Sequence, residues 1–174
     1  MMKYWNKNSR VQDGVEIPGM YTHAFIHNGW YCVSEIRVYQ DGMIDCWGLV
    51  DFEGFKQKVS EGWVVTKLPN NAPVSISRLA RFTATEVQAS VKEDEFVKEV
   101  ADAIEELNGR PTSTHKCRAA FQRFQEEHSE VARQQVQETY EGVPEHLRWF
   151  LLDEMDPDII DVQSAWNVLN KKES

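Results

Sequence analysis

Apolar and β-branched residues run through positions 20–50 between two dipeptides, Asn28-Gly29 and Asp41-Gly42. Both dipeptides suit two-residue hairpin turns, whose central residues need positive φ. The pattern predicts a three-stranded meander over about 20–27, 30–40 and 43–50. A short helix follows, with Asp51 as N-cap, Phe52, Phe55 and Val59 on one face, and Gly62 as the stop. Trp63, Val64, Val65 and Thr66 read as a buried strand. The loop Pro69-Asn70-Asn71-Ala72-Pro73 then leads to a last strand that begins Val74, Ser75, Ile76.

Beyond about residue 85 the apolar period changes from 2 to 3.6. Ser90 and Glu93 have capping-box spacing ahead of a helix with the stripe Phe96, Val100, Ile104 and Leu107, ended by Asn108-Gly109. A second, longer helix is expected over 113–140. Its stripe, Cys117, Phe121, Phe124, His128, Val131 and Gln135, steps alternately by four and three, as in packing along a partner helix. Gly142 ends it and Pro144 opens a third helix with Leu147, Phe150, Leu151 and Met155 inward. Asp156-Pro157 starts a fourth, with Ile159, Val162, Trp166 and Leu169 on one side.

The predicted fold class is α+β. An N-terminal arm (1–14) precedes an antiparallel β-rich subdomain (15–85), which holds the meander, one short helix and two further strands. A four-helix, acidic C-terminal subdomain (86–174) packs on or beside it.

Composition supports a folded chain: 174 residues, 41% hydrophobic and 27% charged, with 6 Pro and 9 Gly. Disordered and low-complexity readings are thereby excluded. The net charge of -9 argues against nucleic acid and anionic membranes as partners. Residues 1–85 hold 9 Lys+Arg and 8 Asp+Glu, whereas 86–174 hold 10 and 20, so the acidity belongs to the helical half. No apolar run approaches the roughly 18 to 20 residues of a membrane span, and MMKYWNKNSRVQDG lacks the apolar stretch of a secretory signal. A cytoplasmic location is expected. Cys32, Cys46 and Cys117 are an odd set without CxxC spacing, so neither a disulfide framework nor a zinc knuckle is suggested.

Candidate chemistry in the sheet centres on His23, Ser34, Glu35 and Arg37. On a strand His23 and His27 stand about 13 Å apart and cannot share one metal ion. With a two-residue loop at Asn28-Gly29, His23 lies opposite Ser34, a conceivable base and nucleophile, but Asp45 is too distant to orient the imidazole. The same register puts Cys32 on the His23 face and Cys46 on the other. That second face also carries Tyr31, Glu35, Arg37, Tyr39 and Ile44, a mixture that suits either a binding surface or the solvated side of a sheet. His128, on the apolar stripe of the long helix, reads mainly as a packing residue. Walker A, GxGxxG, HExxH, kinase and RNA-recognition patterns are all missing. Neither a cofactor nor a metal is expected.

The densest charge is Asp153, Glu154, Asp156, Asp158 and Asp161. Asp156-x-Asp158 lacks the Gly and terminal Glu of a calcium loop. Asp156 as N-cap and Asp158 in a first turn are explained by helix physics. Asp153 and Glu154, at the carboxyl end of the preceding helix, are not; they point either to a basic partner or to compensation by Arg148 or a basic side chain of the sheet half. Trp149, off the apolar line of its helix, is a candidate anchor beside them.

The segment Val38-Tyr39-Gln40-Asp41-Gly42-Met43-Ile44-Asp45-Cys46-Trp47-Gly48-Leu49-Val50-Asp51, with Gly62-Trp63-Val64-Val65-Thr66, resembles an uncharacterised family of small bacterial proteins. The resemblance covers about residues 20–85. It implies a bacterial cytosolic origin and transfers no activity to any residue. The expected function is a non-enzymatic protein-binding module, an immunity, inhibitor or defence-system protein that engages a basic partner through its acidic helical half. The alternative is a small-ligand domain or enzyme with a pocket between sheet and helices, using His23, Ser34, Glu35, Arg37 or His128. A homo-oligomer through the long helix 113–140 is a further possibility.

Overall fold

The computed structural model describes residues 5–153. The chain divides into two compact units, Met1–Arg110 and Pro111–Ser174. The first contains β1 (Asn6–Gln12), β2 (Val15–Asn28), β3 (Trp30–Tyr39), β4 (Ile44–Asp45), β5 (Leu49–Val50), α1 (Phe52–Ser60), β6 (Val64–Val65), β7 (Ala72–Ile76), β8 (Ala80–Ala84) and α2 (Glu93–Leu107). The α+β class, the N-terminal antiparallel meander and the short helix after it are as the pattern predicts.

The long strands β2 and β3 are the spine of the sheet. At one end the strand order is β1-β2-β3-β4-β5, and at the other it is β6-β2-β3-β7-β8. Every pair is antiparallel except β3 with β7, where Tyr31 faces Val74 and Cys32 faces Ser75. A parallel pair needs a long crossover, supplied here by residues 40–71. The segment expected as an N-terminal arm contributes β1. Asp13 and Gly14, at φ 51 and 78, form a two-residue turn with both central residues left-handed.

The two turns read from the pattern have a different geometry, and the difference sets the faces of the sheet. At the second, the Gly42 amide donates to the Tyr39 carbonyl (2.9 Å) and the Tyr39 amide to the Met43 carbonyl (2.9 Å). The loop is therefore three residues long, Gln40 to Gly42, and closes on Gly42 at φ 82. At the first, Asn28 pairs with Trp30 and only Gly29 lies between them. Each hairpin is thus offset by one residue from the expected register. Arg37 faces Asp45, where Cys46 was expected, and His23 faces Glu35, where Ser34 was expected. Because side chains alternate along a strand, a one-residue slip changes which residues share a face.

The inner face gathers Ala24, Ile26, Ile36, Val38, Ile44 and Cys46, all buried. Phe55 of α1 and Phe96, Val100 and Ala103 of α2 complete this core, with the Phe55 and Phe96 rings edge to face at 6.1 Å. α1 starts as expected, since the Asp51 carboxylate accepts from the Gly54 amide at 2.7 Å. The capping box expected for α2 does not form. Lys92 is the N-cap residue, with no side-chain cap bond, and Glu93 instead accepts from the Thr66 and Lys67 amides (3.2 Å each). Burial acts to raise the Glu93 pKa, but its own backbone amide together with those of Thr66 and Lys67 outweighs it and holds the carboxyl below its usual range. α2 therefore belongs with the sheet, and the change of period near residue 86 lies well before the unit boundary.

The second unit contains α3 (Ser113–Glu127), α4 (Glu130–Gly142) and α5 (Glu145–Asp153). The continuous helix expected over 113–140 is two helices. His128 takes a left-handed conformation (φ 48) and Ser129 caps α4, its hydroxyl accepting from the Ala132 amide at 3.1 Å. The break rotates the second segment. Cys117 and Phe121 keep their place in the core, but beyond the break Ala132 and Val136 are buried, whereas Gln135 is exposed and Val131 is 74% exposed. Val143 and Leu151 complete the cluster, and the Arg148 guanidinium donates to the Val143 and Glu141 carbonyls at the end of α4. The expected fourth helix and Met155 lie outside the described residues. No helix among the described residues is long and apolar enough to cross a membrane.

Candidate functional site

On the outer face of β2 and β3, His23 stands across from Glu35 and Tyr21 across from Arg37. Arg37 bridges two acids, with its guanidinium 2.7 Å from Glu35 and 3.7 Å from Asp45. The hydrogen bonds that Arg37 donates to Glu35 are the main cause of its raised pKa. Next to it Arg10 pairs with Asp41 and lies 5.0 Å from the Tyr39 ring centroid. Burial raises the Tyr39 phenol. At the other end of this face Phe25, Tyr31 and Val33 pack under Leu68, Ala72, Val74 and Ala84, and His27 stacks on Tyr31 at 4.4 Å. The outer face is therefore half ion-pair lattice and half apolar cover.

The expected pocket set separates. His23, Glu35 and Arg37 share the outer face, while Ser34, opposite Ala24, lies on the inner one. A Ser34–His23 nucleophile and base pair is thereby excluded. Cys32 and Cys46, expected on opposite faces, are both buried, free thiols on the inner side. Burial pushes the Cys46 thiol up to about 11, so it is protonated at neutral pH and is a poor nucleophile. His128 is an exposed residue of the α3–α4 link, its ring 6.0 Å from that of Phe124. Trp149 and Asp153 fall on α5. Glu154, Asp156, Asp158 and Asp161 lie outside the described residues. Among the described residues no three His, Cys, Asp or Glu side chains form a group that could hold a metal ion.

The charge is also redistributed. α2 carries seven acids against one Lys, and residues 153–174 carry six acids against two Lys, whereas α3 has two acids and three bases. Three acids of α2, Glu95, Glu99 and Asp102, are buried, and Lys98 reaches Glu95 at 2.8 Å. Glu99 is pushed up to about 7, chiefly by burial and further by the charges of Glu95 and Asp102, with the Trp5 indole opposing.

A second feature lies between β4 and β5, where the pattern predicts uninterrupted strand. Asp45 accepts from the Gly48 amide at 3.2 Å, and between them Trp47 is held at φ 63. A bulky residue in this region costs about 1–2 kcal/mol. Its side chain is nevertheless 51% exposed, beside the exposed Leu49. The Trp47 ring meets Trp63 edge-on at 6.4 Å, the Trp63 indole donates to the Cys46 carbonyl at 3.0 Å, and the Lys58 ammonium lies 4.9 Å from the Trp63 centroid. The signal in the chain was Gly48 directly after Trp47, a residue whose φ of 143 suits glycine.

Two family descriptions divide the chain close to the boundary between its units. Domain of unknown function (DUF7638) matches residues 7–111, and Domain of unknown function (DUF7639) matches residues 112–167. The chain belongs to the DUF7638 family. No curated protein and no solved structure matches it. The DUF7638 match takes in all of the sheet but Asn6, together with α2, which agrees with α2 packing as part of the first unit. The resemblance of residues 20–85 to an uncharacterised family is thereby supported, and no activity comes with it.

Proposed function

We propose that this DUF7638 protein is a non-enzymatic, cytoplasmic binding module that inhibits or regulates a basic partner, as immunity proteins and defence-system adaptors do. The supporting observation is Trp47. A strained backbone that leaves half of a large aromatic residue in water returns little to folding beyond the edge contact with Trp63, whereas an exposed Trp beside Leu49 and Trp63 has the composition of an interface hot spot. The basic nature of the partner rests on charge: five of the nine residues 153–161 are Asp or Glu. Clustered carboxylates steer encounter with Lys- and Arg-rich surfaces.

Affinity capture from host cells by the full chain, with mass spectrometry, tests this reading. A single basic protein should be recovered. Trp47→Ala should weaken its binding by about 2 kcal/mol, as at a hot spot. Changing Asp153, Glu154 and Asp158 together to Asn or Gln should lower the association rate and its salt dependence. If both variants retain the partner with unchanged affinity and salt response, the proposal is wrong.

A further inference from the structure

Four short or terminal strands edge the described sheet, and three are blunted in the ways that discourage pairing with other chains. β5 and β6 are two residues long. β1 is polar, running Asn6-Lys7-Asn8-Ser9-Arg10. β8 is longer than β5 and β6 and carries a single charge, Arg81. Its five residues, Ala80-Arg81-Phe82-Thr83-Ala84, pair with β7 on one side and with no strand on the other among the described residues. Phe82 is 48% exposed, Leu79 in the preceding turn 84%, and Trp30 close by 46%.

A cleft of about 290 Å³ lies over the face of β7 and β8 beside Trp30, lined by Trp30, Pro73, Ser75, Arg81 and Thr83 among others. The Arg81 guanidinium lies 4.7 Å from the Trp30 ring centroid, which holds it in place without neutralising it. Across Gly62 to Thr85 the chain contains Lys67, Arg78 and Arg81 and no Asp or Glu; Glu93 lies against Lys67, so the cations left at this edge are Arg78 in the turn and Arg81 on the strand.

We propose that β8 accepts an added strand from an acidic, extended segment of a partner protein. Main-chain hydrogen bonds along the free edge supply affinity, and alternate side chains supply specificity. Arg81 and Thr83 point to one face and Phe82 to the other, so the segment alternates carboxylates with aliphatic residues. One carboxylate sits on Arg81 and one aliphatic side chain on Phe82. Charge weighs against a second copy as the occupant: antiparallel pairing of two β8 strands about Phe82 would set each Arg81 opposite the other copy's Thr83, leaving the two cations diagonal neighbours on one face with no acid between them. The inference does not rest on Trp47.

The test is titration of the full chain with a blocked heptapeptide of alternating Glu and Val, its Lys-Val counterpart, and the Glu-Val peptide N-methylated at alternate amides. Amide NMR shifts at Ala80–Ala84 give the readout. The Glu-Val peptide should shift these amides, bind more weakly as salt is added, and lose about tenfold or more in affinity with Arg81→Glu. Trp47→Ala should leave it unchanged. The Lys-Val and N-methylated peptides should not bind, and this arm needs no variant to fold. An absence of shifts at millimolar Glu-Val peptide, or equal binding by either control, overturns the proposal. Self-association of the free chain that Phe82→Lys abolishes would also overturn it, by assigning the edge to a second copy.

Discussion

Both units bury apolar helix stripes, but against different kinds of surface. In the first, α2 lays Phe96, Val100 and Ala103 on a sheet assembled from residues up to about 80 positions away, and carries buried acids beside that stripe. In the second, α3 and α4 bury Cys117, Phe121 and Val136 within one local cluster, and their relation is set by two adjacent residues, His128 and Ser129. A helix on a sheet depends on distant partners for its solvation as well as its packing. A local helix pair depends on where the chain breaks.

The largest effect expected is from Phe55→Ala, which empties the centre of the first core. It should cost about 3–5 kcal/mol in denaturant unfolding. Hydrogen exchange should accelerate in β2 and α2 while α3 and α4 keep their protection. Equal loss of protection in both units would show one cooperative block, and the comparison would fail.

Next comes Glu99→Gln. Because the folded pKa of about 7 lies above the ordinary carboxyl value, Glu99 contributes stability that is complete below pH 4.5 and is lost as pH rises through 7. The Gln variant should match the parent at pH 4 and exceed it by about 1–3 kcal/mol at pH 8. Parallel stability curves across this range would refute the buried-acid assignment.

Smaller effects separate the helix ends. Asp51→Ala removes the cap of α1 and should cost about 1 kcal/mol by thermal or chemical melts. His128→Gly should stabilise the second unit by about 0.5–1 kcal/mol, since glycine adopts φ 48 without strain. In a continuous helix the same change would destabilise by a similar amount, so the sign of the shift distinguishes the two structures.

Much of the first unit was legible along the chain. The run of β-branched residues, Asp51 as cap, Gly62 as stop and the Phe96–Val100 stripe are local signals, and each is where the pattern put it. The errors are single-residue matters with large consequences. Asp41-Gly42 is compatible with a two- or a three-residue loop, and only hydrogen bonding to Tyr39 and Met43 selects the longer one. That choice brought Asp45 to Arg37, and the one-residue turn at Gly29 moved Ser34 away from His23. In the second unit Ser129-Glu130 was a helix start concealed by a heptad pattern that runs through it by coincidence. Glu35 and Arg37 were legible as neighbours on one sheet face, but the bend at Trp47 was not, because a left-handed Trp between two short strands leaves little trace beyond Gly48.

By itself the sequence determined the element types, the capping of α1, the absence of a disulfide framework and a net acidity, because these follow from composition and from interactions within a few residues. Tertiary structure alone decided strand register, the attachment of α2 to the sheet, the burial of Glu95, Glu99 and Asp102, and the exposure of Trp47 and β8. Each of those depends on which distant surface removes a side chain from water, and the order of residues along a chain does not specify that.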